Sequence, residues 1–233
     1  MQKRIELLDA WRSLCVVMMI FYHAAFDLSL FGAVPEGVIS GAFFETLKYL
    51  VSGGFILVSG AVSRYSQSCV RRGFYVFCWG LAVSVVMAAM KMPVAFGILQ
   101  LIGAAMVICG LLGPGLCRTA ERPWFPIACA LGFAACAAVL PRITVGVRWL
   151  YPLGLRYEGF YSADYYPLLP WLLLYFFGVW LGGVIEKKLS SPLLSAHFPR
   201  ALTFLGRHSL AVYIAHQPVL YGLCLLIFGG KII

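Results

Sequence analysis

Residues 4–31 read RIELLDAWRSLCVVMMIFYHAAFDLSLF. From Ala10 to Phe31 the run is apolar and, at about 1.5 Å per residue, long enough to cross roughly 30 Å of hydrocarbon as one helix. Yet the stretch carries Asp9, Arg12, His23 and Asp27. At about 100° per residue, Arg12 lies roughly 60° from Asp9, His23 roughly 40° and Asp27 close to 0°. All four share one face, and Val16 and Ile20 fill the stripe between them. Charge facing lipid is costly, so a helix with a single ionisable stripe is expected to turn it toward protein or water.

The rest of the chain repeats the pattern of long apolar runs. Of its 233 residues, 62% are hydrophobic and 12% charged, against about half and about a quarter in a soluble domain. That excludes an ordinary soluble domain, a disordered chain and a disulfide scaffold. The expected fold is all-α: one polytopic bundle of about seven spans, at 10–31, 42–63, 73–90, 96–113, 124–140, 165–185 and 208–228. The fourth and fifth are the short ones, and residues 1–233 are read as one membrane-embedded domain. The first run holds His23 and Asp27 and lacks a small-residue exit, so a cleaved signal peptide is not expected.

Eighteen basic residues stand against nine acidic ones, a net charge of +9. They lie between apolar runs, where topology signals belong, so nucleic acid is not the expected partner. With the N-terminus inside, the cytoplasmic side receives Lys3, Arg4, Arg12, Arg64, Arg71, Arg72, Arg118, Arg122, Lys187, Lys188, Arg200 and Arg207. The outer side receives Lys48, Lys91, Arg142, Arg148, Arg156 and Lys231. The excess predicts a cytoplasmic N-terminus. The eight cysteines include no CxxC pair, and the titratable residues form no ligand cluster, so no metal is expected. The Ala-, Gly- and Cys-rich fifth span reads as a close-packing helix.

Several polar residues invite chemistry. Asp27 follows His23 at i+4, where a carboxylate can orient an imidazole that serves as a general base. The pair could equally bridge neighbouring helices. Arg64, Arg71 and Arg72 form an inner basic cluster, suited either to topology or to phosphates. Gln100 is the strongly polar residue of its span. In the last span Ser209, Tyr213, His216 and Gln217 fall within an arc of about 100°. The 141–164 loop, rich in Tyr, Trp, Gly and Pro, is either an interfacial anchor or a cover over a ligand cavity.

The stretch from Arg4 through Asp9 and Arg12 to His23 resembles the start of the membrane acyltransferases, including the O-antigen type and the heparan-alpha-glucosaminide N-acetyltransferase family. FGILQLIG at 96–103, DYYPLLPWLLLYFFGVWLG at 164–182 and LGRHSLAVYIAHQPVL at 205–220 are similar to the short bacterial branch of the latter. Ser13 stands where that family usually has Gly, and Gln100 where short members have His. The resemblance implies an integral protein of a bacterial inner membrane that moves an acetyl group from acetyl-CoA, as co-substrate, to a hydroxyl or amine of a sugar or glycolipid. It implies His23 as base with Asp27 holding its ring. Arg12, Arg64, Arg71, Arg72 and Arg207 would meet the donor's phosphates, and Asp9, Gln100, Asp164, Tyr213, His216 and Gln217 are the other polar candidates. Membrane lipids surround the bundle, and a homodimer is open. Two rival readings remain: a small transporter using His23 and Asp27 as a proton relay, and a non-catalytic relative.

Overall fold

Seven helices long and apolar enough to cross a membrane organise the chain in a computed structural model that describes residues 5–188 and 198–229. Lys3, Arg4 and Lys231 lie outside the described residues. In order the helices are α1 (Glu6–Leu30), the short α2 (Glu36–Ile39), α3 (Ala42–Ser63), α4 (Cys69–Ala89), α5 (Ile98–Ala120), α6 (Trp124–Val139), α7 (Leu168–Lys187), the short α8 (Arg200–Arg207) and α9 (Ser209–Phe228). The long seven are α1, α3, α4, α5, α6, α7 and α9. Among the described residues no strand forms, only two isolated bridges. The chain divides into two compact units, residues 1–55 with 189–233, and residues 56–188.

In the first unit, α1 buries its polar stripe and turns apolar residues outward. Asp9 is 3% exposed, and Ser13, Val16 and Asp27 are fully buried. Trp11, Leu14, Val17 and Phe21 are each about half exposed, as a lipid-facing flank would be. The stripe packs against α8 and α9. On the adjoining side Cys15 and Met19 join Ile39, Phe44, Leu47 and Val51 in a hydrophobic cluster. The α8 helix, which the hydropathy pattern does not announce, lies so close to α1 that a Cβ at Gly206 would collide with the Asp9 carbonyl oxygen.

The second unit is built on close backbone approach. Helix α4 buries only Cys69, Gly73 and Gly80. A Cβ at Gly73 would lie 2.7 Å from the Gly103 carbonyl oxygen, and one at Gly103 would lie 2.5 Å from the Phe77 nitrogen. Helices α3 and α7 meet the same way, Gly178 resting on the Leu57 carbonyl and Gly182 on that of Ala61. In membranes small residues take the place of the missing hydrophobic drive by admitting more van der Waals contact.

One expected boundary needs correction. The fourth span does not end at 113: Gly113 adopts φ +52° and breaks α5, which resumes at Pro114 and runs to Ala120. Gly tolerates the left-handed backbone and Pro is suited to a helix start, so the pair kinks the helix without ending it. The fifth span, α6, packs closely along α7 as expected, although it fully buries only Phe125 and Cys129. Within the second unit the tightest approaches between helices use the glycines of α3, α4, α5 and α7.

Because Gly178 rests on backbone that cannot move aside, Gly178→Val should destabilise the fold by about 1–3 kcal/mol. A clear fall in Tm of the detergent-solubilised protein checks this, and a Tm within about 1 °C of wild type would contradict it.

Candidate functional site

The polar residues of α1 and α9 meet inside the first unit. Asp27 has no exposed surface, and its Oδ1 accepts a hydrogen bond of 2.9 Å from Gln217 Nε2. Its other oxygen, Oδ2, is buried and has no partner among the described residues, and neither has Gln217 Oε1. One residue before Gln217, His216 is 8% exposed and makes a 2.5 Å hydrogen bond from Nδ1 to the Tyr213 carbonyl oxygen. Its Nε2 is a third buried atom without a partner. The His23 ring, half-buried one turn before Asp27, has its centroid 4.9 Å from that of His216. Pro218 sits inside α9 beside these residues and supplies no backbone N–H to the turn before it.

Buried polar atoms are almost always hydrogen-bonded, because leaving one unpaired costs about 1–3 kcal/mol. Three such atoms lie on neighbouring side chains of α1 and α9 without a partner among the described residues. Two imidazoles there supply groups that can take and return a proton.

Asp27, His216, Gln217 and Tyr213 are thus gathered around His23, but the carboxylate is held by Gln217 rather than by the imidazole. This departs from the expected His23–Asp27 pairing. The i+4 spacing puts both residues on one face, and a primary amide from α9 is the better-placed donor.

Roughly 15–21 Å from His23 along α1, at about 1.5 Å per residue, a second polar group joins α1 to α8. Asp9 lies 3.7 Å from Arg12 Nη1 and 3.8 Å from Arg207 Nε. Ser13 donates to the Leu202 carbonyl oxygen and also lies within hydrogen-bond distance of the Asp9 carbonyl oxygen. The hydroxyl at position 13 therefore serves the α1–α8 contact.

In the second unit Arg64 is fully engaged. Its Nη2 reaches Glu121 at 2.5 Å, its Nε reaches Glu186 at 3.0 Å, and its Nη1 donates to the Cys117 carbonyl oxygen. The ends of α3, α5 and α7 are tied by this one guanidinium. Neither acidic partner was legible in the sequence, since they lie 57 and 122 residues away. Arg71 and Arg72 are exposed at the start of α4, with the Arg71 guanidinium over the Tyr75 ring. Gln100 accepts from the Gly97 N–H at 2.6 Å and donates to Ser84 at 2.8 Å, capping α5 and joining it to α4. The Asp164 carboxylate lies beside Gly97 as well, 3.3 Å from where a Cβ there would sit. In the 141–164 loop, Arg148 stacks on Tyr157 and Arg156 on Tyr165.

The Arg64 hydrogen bond holds the Glu121 carboxyl below its usual range. A depressed carboxylate stabilises the fold fully above its unfolded value, and that contribution is lost as pH falls through the folded one. Glu121→Gln should therefore lower Tm at about pH 7, and the gap to wild type should close as pH falls through and below the ordinary carboxylate range of about 4. A gap that persists unchanged in acid would contradict this.

Against known proteins, the family model described as heparan-alpha-glucosaminide N-acetyltransferase, catalytic, matches residues 4–218. No curated protein and no solved structure gives a significant match.

Proposed function

Since the chain belongs to the heparan-alpha-glucosaminide N-acetyltransferase family, we propose that this membrane acetyltransferase takes its acetyl group from acetyl-CoA and passes it to a hydroxyl or amine of a sugar or glycolipid, with His23 as general base. The observation that carries the residue assignment is the α1–α9 cluster, where His23 adjoins His216 and three buried polar atoms of Asp27, His216 and Gln217 have no partner among the described residues.

In this reading the N-terminus is cytoplasmic, in keeping with the distribution of Lys and Arg. The donor's phosphates meet Arg12 and Arg207, at the end of α1 from which an extended pantetheine arm can reach toward His23. Arg64, already committed to two carboxylates, is left out of that role.

The acceptor O–H or N–H gives its proton to His23 as its heteroatom attacks the thioester carbonyl. The tetrahedral intermediate collapses with loss of the CoA thiolate, which takes the proton back from the imidazolium. The products are the acetylated acceptor and CoA thiol. Apolar walls around the cluster exclude bulk water, which would otherwise compete as nucleophile.

Purified His23→Asn protein, incubated with labelled acetyl-CoA and amino-sugar or glycolipid acceptors, should lose about 100-fold or more of the transfer rate. Wild-type turnover in that variant would remove His23 as the base.

A further inference from the structure

A neutral histidine acts as a base through its unprotonated nitrogen, and which nitrogen that is depends on the hydrogen bond made by the other; in many sites a carboxylate makes it. Here the Asp27 carboxylate accepts from Gln217 through Oδ1, and its Oδ2 has no partner among the described residues, the His23 ring included. His216 offers what His23 needs. Its Nδ1 faces the Tyr213 carbonyl oxygen at 2.5 Å, and a carbonyl can only accept, so Nδ1 carries the proton. In the neutral ring Nε2 is then a lone-pair acceptor. That atom is buried and without a partner among the described residues. The His23 ring adjoins that of His216 at 4.9 Å between centroids, with the Tyr213 ring on it as well at 5.3 Å. Two imidazoles joined by an N–H···N bond of about 2.9 Å have centroids roughly 5 Å apart, so a small rotation completes the bond.

We propose that His216 is the positioning residue for His23: its Nε2 accepts the spare ring N–H of His23 and so fixes the tautomer that leaves the other nitrogen free. The polar partners divide into two couples, Asp27 with Gln217 and His23 with His216. When His23 takes up a proton the same contact becomes charge-assisted and strengthens, so the pairing favours the protonated intermediate over the resting state. Only the kinetic arm of the test rests on the proposed acetyl transfer.

The test uses full-length protein labelled with ¹⁵N at histidine, in detergent at neutral pH, with the His23 signals assigned by their loss in His23→Asn. Wild type should show His23 in one tautomer. His216→Leu should show a mixture, and His216→Gln, whose Oε1 can accept the same N–H, should restore the single form. In acetyl transfer, His216→Leu should lower kcat about tenfold or more with KM for acetyl-CoA within about twofold, and His216→Gln should recover most of the loss. A mixed His23 tautomer in wild type, an unchanged one in His216→Leu, or a Gln variant no better than Leu would overturn the proposal. If the Leu variant does not fold, the wild-type spectrum and the Gln variant decide. A single tautomer that depends on His216, in a protein that transfers no acetyl group, would uphold this inference and overturn the proposed function.

Discussion

Hydrocarbon supplies no hydrogen bonds, and Asp27 lies between apolar helices with no exposed surface. The arrangement of the first unit follows from answering that one carboxylate. α1 must turn its polar stripe away from lipid, and α9 must bring Gln217 to meet it. With Gln217 comes His216, its neighbour in sequence, and with His216 the contact to His23. The amide satisfies one carboxylate oxygen and leaves the other open, so the structure answers the demand only in part.

The second unit meets the same solvent differently. Its helices hold no comparable buried carboxylate. They gain contact by bringing backbones together over Gly73, Gly103, Gly178 and Gly182, and they place their main ionic group, Arg64 with Glu121 and Glu186, at the helix ends. Rigid glycine seams and a terminal clamp suit a scaffold. The second unit also has buried polar atoms without a partner among the described residues, on Ser66 and Tyr175, but α1 and α9 set theirs beside two imidazoles, which suits a working surface.

Much of the fold could be read before any coordinates, because crossing hydrocarbon demands length and apolarity, and both are local properties of a sequence. The seven spans follow from that. The stripe on α1 was also legible, since 3.6-residue periodicity alone places Asp9, Arg12, His23 and Asp27 on one face. What was hidden depends on the other helix. Nothing near Asp27 in sequence signals Gln217, 190 residues on, and the i+4 spacing favoured His23 in its place. Arg64 resembled a free cation because its carboxylates come from distant helix ends. Composition marked α6 as a helix that packs closely, and it does so along α7, but it did not show how few of its residues are fully buried, since that depends on which way each one faces.

The break in α5 has a mechanical consequence. Beyond Gly113 the chain resumes on a new axis, and about seven residues of rise amount to a lever of roughly 10 Å. At its tip are the Cys117 carbonyl and Glu121, two of the three groups gripped by Arg64. A straight helix would carry that tip off along the original axis. The bend and the grip are therefore a matched pair, one aiming the rod and the other pinning its far end.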